Sequence, residues 1–234
     1  MRSAFWPMLT TLVGVGLLLA LGTWQMQRRE AKLDLIERVE RQMAAPAVPL
    51  PALLPDPAEW DYRRVVITGR FLHDHEMRLV VRTHNGQVGA EIVTPLLRPN
   101  GGVILVNRGW VPQDRIEPAA RPDSQPRGMV TVEGVARRPA PPAWLTPAND
   151  PVRNQWLWID RDAMAKAAGV AEVAPVVVEA AARPDTLPVG GLTRVAFAND
   201  HLQYALTWYG LAIGLVIIYV VYHRQRTAQA QEPA

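Results

Sequence analysis

Asn199-Asp200-His201-Leu202-Gln203-Tyr204-Ala205-Leu206-Thr207-Trp208-Tyr209-Gly210-Leu211-Ala212 is the stretch that decides how this 234-residue chain is organised. No residue from Leu202 to Tyr222 carries a charge. The run is 21 residues long, roughly 31 Å of helix at about 1.5 Å per residue, which matches the core of a bilayer. The segment therefore reads as the place where a polar domain re-enters a membrane. Asn199, Asp200 and His201 form a polar cluster at its mouth. On a helix, His201, Tyr204, Trp208 and Leu215 fall at i, i+3, i+7 and i+14, so they share one stripe.

A second uncharged run stands at the other end of the chain. Ser3 to Gln27 is 25 residues without a charge, with Trp6 and Trp24 near its two ends. The length suits a tilted spanning helix, and the tryptophans sit where interfacial belts place them. A cleaved signal peptide is the competing reading, with Arg2 as the n-region and Ala20-Leu21-Gly22 as the cleavage site; length and tryptophan content favour an anchor. Beyond it, Leu33, Ile36, Val39 and Met43 recur at three- and four-residue spacing, so the helix is expected to continue as an amphipathic stalk until Pro46 stops it. Gly210 and Gly214 in the second span, with Gly16 and Ala20 in the first, are candidates for close helix approach.

Between the runs the chain reads as β structure. Val65 to Phe71, Met77 to Arg82, Ala90 to Leu97, Val103 to Val111, Val130 to Ala136, Gln155 to Ile159 and Val176 to Ala180 are rich in β-branched and aromatic residues. Asn85-Gly86 marks a tight hairpin, and Pro99-Asn100-Gly101-Gly102 a second turn. Asp160 is placed to N-cap a short helix through Ala168 that Gly169 closes. Hairpin-like connections predict mostly antiparallel pairing. The expected fold is thus a membrane protein of the α+β class, with two transmembrane helices flanking a mostly antiparallel β-rich soluble domain that carries a short helix. Residues 1–27 form the N-terminal transmembrane helix, 28–45 the stalk, 46–198 an extracytoplasmic domain, 199–222 the C-terminal transmembrane helix and 223–234 a cytoplasmic tail. Arg224 and Arg226 after the second span mark the tail as cytoplasmic. Arg28, Arg29 and Lys32 on the domain side weigh less, because long domains translocate largely regardless of charge.

Composition narrows the chemistry. The absence of cysteine excludes disulfides, thiolate metal sites and a cysteine nucleophile. A net charge of +3 with scattered basic residues offers no nucleic-acid patch. No Ser-His-Asp order, phosphate-cradling loop or carboxylate pair stands out, so the chain is not read as an enzyme. His73-Asp74-His75-Glu76 resembles a metal site in composition, but its place between two strands makes a solvated turn the better reading, and no role is assigned to His73 or His75. His201 differs because an ionisable residue at a membrane entrance is costly unless partnered. It suits either an interfacial histidine that reaches back to water or an axial ligand to haem iron.

The chain resembles the Surfeit locus protein 1 family, assembly factors of haem-copper cytochrome c oxidase. Leu21-Gly22-Thr23-Trp24-Gln25-Met26-Gln27-Arg28 with Lys32, Val66 to Phe71, Val93-Thr94-Pro95, Val106-Asn107-Arg108-Gly109-Trp110-Val111-Pro112 and Asn199 to Trp208 carry the resemblance. It implies a non-enzymatic role in maturing an aa3-type oxidase of a bacterial inner membrane, with both termini cytoplasmic and the central domain periplasmic. It further implies haem a binding, with His201 as iron ligand beside Trp208. Tyr204 is expected against the macrocycle and Arg194 on a propionate. Partners would be oxidase subunit I, the haem a synthase and membrane lipid. Asn107-Arg108-Gly109-Trp110 would either dock on a partner or simply end a strand in the core. The alternative to a haem carrier is a haem-independent scaffold that stabilises subunit I or the synthase.

Overall fold

The computed structural model describes residues 5–100, 102–193 and 199–229. The chain divides into two compact units, one of residues 39–195 and one made by the two ends of the chain.

The end unit holds α3 (His201–Gln229) and, up to residue 38, the long helix α1 (Phe5–Ala44). α1 runs unbroken through both the apolar run and the expected stalk, and it ends just ahead of Pro46, as a missing N–H requires. Each helix is long and apolar enough to cross a bilayer, and only 6% and 11% of their most apolar windows are buried. Neither is therefore the hidden core helix of a soluble protein. Leu12, Val13 and Leu17 on α1, and Ile213, Ile217 and Ile218 on α3, are exposed, an apolar surface of the kind that lipid covers. His201, Ala205, Trp208, Ala212, Leu215 and Tyr219 are among the buried and half-buried positions of α3. Their alternating spacing of four and three is that of helices running alongside one another.

The larger unit is built on eight strands: β1 (Val48–Pro49), β2 (Arg64–Phe71), β3 (Met77–His84), β4 (Gln87–Leu97), β5 (Val103–Pro112), β6 (Met129–Arg137), β7 (Gln155–Trp156) and β8 (Val177–Ala180). Their order is β1-β2-β6-β8-β5-β4-β3-β7, and the far end of β4 also pairs with β2 through Arg70–Leu97 and Phe71–Leu96. Strands β2, β6, β8, β5 and β4 thus close on themselves. The pairing is mixed: β1–β2, β3–β7 and β5–β8 are parallel and the rest antiparallel. Of the run Gln155 to Ile159, only Gln155 and Trp156 form a strand. Val48–Pro49, in the expected connector, adds one.

Side-chain alternation explains the layers. Val65, Ile67, Leu96, Ile104, Val106, Val132 and Val178 fill the inside of the closed sheet. Leu79, Val93, Val103, Leu105, Trp156 and Val177 point the other way and pack on α2 (Arg161–Ala167) through Met164, Ala165 and Ala168. β5 is covered on both faces, which is why Val103-Ile104-Leu105-Val106 reads as an unbroken apolar run. Asp160 accepts a bond from Ala163 N–H at 3.1 Å. At the other end Gly169, at φ +68°, makes a Schellman closure: its N–H reaches Lys166 O and that of Val170 reaches Ala165 O. Asn85 and Gly86 take positive φ, +48° and +78°, as a primed two-residue hairpin requires.

One end of the domain holds a polar cleft of about 360 Å³ lined by Arg82, Glu91, Asn107, Arg137, Glu179 and Thr193. Asn107 Nδ2 donates to Glu91 at 2.8 Å, while Arg137 donates to Asp61 and to the Tyr62 hydroxyl, both at 3.0 Å. Burial pushes the Glu179 carboxyl above its usual range, and the Thr193 hydrogen bond and Arg137 only partly offset this. The folded chain therefore holds a proton that the unfolded chain releases, so this group's contribution to stability falls as pH rises from the ordinary carboxylate range through the folded value. Glu179→Gln should be more stable than the native chain near neutral pH. The difference should vanish near pH 4, where unfolded Glu is itself largely protonated. Urea unfolding at a series of pH values tests this; a constant difference across the series would refute it.

Candidate functional site

The geometry of the site begins at Gly22. A Cβ at that position would lie 2.5 Å from the Tyr209 ring, so glycine is what allows the ring to lie flat on α1. Thr23 Oγ1 and the Tyr209 hydroxyl are 3.4 Å apart, and a Cβ at Gly14 would meet Leu215 at 2.8 Å. The glycines named for close approach are not the ones used: Gly16, Gly210 and Gly214 have nothing within 4 Å of where a Cβ would stand. Gly210 and Gly214 lie on other faces of α3 than the stripe containing Ala205 and Ala212, which are buried. The two spans do pack directly, through Gly14 and Gly22 instead.

Three residues past Gly22, on the same face of α1, is Gln25. Its Oε1 lies 2.7 Å from His201 Nδ1. A carboxamide oxygen accepts, so this contact suits an imidazole that donates from Nδ1 and keeps its Nε2 lone pair for a ligand. The chemistry of this donor set fits an imidazole that ligates iron through Nε2. Trp208 is half-buried on the same stripe, two turns along. Tyr204, by contrast, is 56% exposed; its position is about 60° round the helix from His201 and about 40° from Trp208. Arg194 lies outside the described residues. Asn199 Oδ1, two residues before His201, is buried without a hydrogen-bond partner.

The domain contains a second polar constellation that sequence reading missed. His73–His75 form a single 3-10 turn, and no cluster of three metal-ligating side chains exists among the described residues. The turn is not fully solvated, however. His73 Nε2 is 3.0 Å from Pro126 O, and the Glu76 side chain is only 4% exposed. Arg121, equally enclosed, binds Glu76 and also donates to Ser124 Oγ, Arg115 O and Ile116 O at 2.9–3.2 Å. Arg108 stands 3.8 Å from the second Glu76 oxygen and 4.9 Å over the Phe71 ring. Burial lowers its guanidinium to about 10, with the Glu76 carboxylate raising it and Arg121 and Arg183 adding to the lowering. It stays charged at neutral pH.

A bulge aims Arg108 inward. Ile92 pairs with Gly109 and Val93 with Asn107, so Arg108 is the extra residue on β5. Trp110 is buried as well and donates from Nε1 to Arg82 O. Within Asn107-Arg108-Gly109-Trp110, Arg108 and Trp110 are thus buried, while Asn107 lines the polar cleft.

Comparison with known proteins places both features. The SURF1 family model matches residues 12–213. The chain belongs to the SURF1 family. It is 34% identical to a SURF1-like protein of Monosiga brevicollis over 94% of this chain and 88% of that protein. It is 39% identical to Surfeit locus protein 1 of Homo sapiens over 82% of this chain and 69% of the relative, and 37% identical to that of Xenopus tropicalis over 82% and 67%. SURF1 membership is consistent with a role in assembling cytochrome c oxidase, and with the two apolar helices of a membrane-associated protein. The SURF1 match runs from within α1, through the whole intervening domain, to the first part of α3, so the Gln25–His201 contact and the Glu76–Arg108–Arg121 cluster both lie within it.

Proposed function

We propose that this SURF1-family chain is a non-enzymatic assembly factor for an aa3-type cytochrome c oxidase, holding haem a through His201 and aiding its insertion into subunit I. The observation that carries this reading is the contact at His201, whose Nδ1 lies 2.7 Å from Gln25 Oε1, an arrangement that suits a free Nε2 lone pair. Haem a, when bound, supplies an iron that accepts an axial nitrogen. His201 would provide that nitrogen, Trp208 a flat apolar wall, and the exposed Tyr204 a contact at the rim. Arg194 is the propionate partner proposed from the sequence. In this reading α1 and α3 cross a bacterial inner membrane with both termini cytoplasmic and residues 46–198 periplasmic, where they meet subunit I or the haem a synthase. A single protein-derived ligand suits a carrier that must release its cargo. His223, the other histidine of α3, is 22 residues away, roughly 33 Å along the helix.

The test is an absorption spectrum of the full chain purified in detergent from cells that make haem a. The native protein should carry haem a, and His201→Ala should lose it or show a displaced Soret band. Equal spectra from both forms, or none from either, would refute ligation by His201 and leave the haem-independent scaffold, to be measured by co-purification of subunit I.

A further inference from the structure

We propose that Gln25 is a positioning residue for His201: its amide oxygen fixes the imidazole as the Nδ1–H tautomer and keeps the Nε2 lone pair available as the ligand. This deepens the haem-holding reading and rests on it. The 2.7 Å contact joins residues 176 apart in sequence, so it exists only because the two helices are in register. That register is fixed close by, where Gly22 admits the Tyr209 ring and Thr23 meets its hydroxyl. Gln25 sits near the end of the uncharged run of α1, with Arg28 and Arg29 just beyond. A carboxamide in an apolar helix is costly to leave without a partner. In water the Nε2–H form of neutral imidazole is the commoner tautomer, so a histidine meant to ligate through Nε2 needs an acceptor on Nδ1. A ligating histidine whose second nitrogen donates to a fixed oxygen is held in both ring angle and tautomer, and loss of such a partner typically costs about 10- to 100-fold in metal affinity. The carboxamide is neutral, so it orients the ring without adding charge beside it.

The test uses the full chain in detergent, 15N-labelled at histidine, with His201→Ala to assign the His201 signals. Long-range proton–nitrogen correlation of the haem-free protein should show Nδ1 protonated and Nε2 bare at His201. Gln25→Leu should shift the equilibrium to the Nε2–H form, while Gln25→Glu, which keeps the volume and the acceptor, should hold the native tautomer. A native Nε2–H form, or no change in Gln25→Leu, would overturn the proposal. The same three proteins are then titrated with haem a. Gln25→Leu should bind about 10- to 100-fold more weakly and show a displaced iron–histidine stretching band, with Gln25→Glu restoring affinity. Equal affinity and an unmoved band in Gln25→Leu would overturn the positioning role while leaving ligation by His201 standing. A native protein that has the expected tautomer but takes up no haem a would instead overturn the haem reading, with the tautomer assignment upheld.

Discussion

Glu76→Ala is expected to destabilise the β domain by about 3–5 kcal/mol, the usual penalty for stripping the counter-charge from a buried ion pair. Glu76 is paired with two enclosed guanidiniums, those of Arg121 and Arg108. Removing it leaves two largely buried cations without their shared counter-charge. Total stabilities of about 5–15 kcal/mol are the rule, so the variant should melt far below the native chain or fail to fold. Arg121→Met makes the converse change at similar volume and leaves Glu76 facing Arg108 as a neutral pair. If charge balance dominates, it should cost less than Glu76→Ala. A larger loss in Arg121→Met would show instead that the hydrogen bonds from Arg121 to Ser124, Arg115 and Ile116 are the principal contribution. Thermal unfolding of the full chain in detergent, followed by near-ultraviolet circular dichroism, separates the two.

The second large effect is at Gly109. Its φ is +113°, and a Cβ there would stand 2.0 Å from Val189 O. That carbonyl cannot retreat cheaply, because it accepts from Trp110 N–H at 3.0 Å while Val189 N–H donates back at 2.8 Å. Gly109→Ala therefore has to break this bridge or unwind the bulge that turns Arg108 inward, and should cost more than about 4 kcal/mol. Gly86→Ala is the control. It also has positive φ, +78°, but nothing lies within 4 Å of where its Cβ would stand. Only the left-handed backbone penalty applies there, about 1–2 kcal/mol. Equal losses at the two positions in urea unfolding would mean that backbone conformation, and not the collision with Val189, sets the cost at Gly109.

These positions show which parts of the fold could be read from the chain. The cap at Asp160, the closure at Gly169 and the hairpin at Asn85-Gly86 are decided by residues within a few positions of one another, so local chemistry suffices. Closure of the sheet through Arg70–Leu97 depends on how β4 bends over its length, which no local pattern specifies. Glu76 meets Arg121 across 45 residues of sequence; beside two histidines it looked like part of a solvated turn, and only the partner reveals that it is buried. The helix pair misled in another way. Gly210 and Gly214 form a recognised spacing, but spacing within one helix does not say which face meets the other. The four-three alternation of His201, Ala205, Trp208, Ala212, Leu215 and Tyr219 was the better signal, and Gln25, polar within an apolar run, was the residue to match with His201. His201 and Trp208 stood out in the sequence by residue type and by their shared stripe. Gln25 did not stand out, because its contact with His201 exists only across the helix pair.

The pairing of α1 with α3 at Gly22 and Tyr209 also bears on the state in which the β domain is not folded. Residues 39–195 leave one helix and return to the other, so their unfolded chain is a closed loop and not a free coil. Constraining a free chain of such length into a loop removes conformational entropy worth about 5 kcal/mol, and here that loss is already borne before the domain folds. The helix pair thus stabilises the β domain through connectivity alone, by leaving its denatured ensemble fewer shapes to adopt.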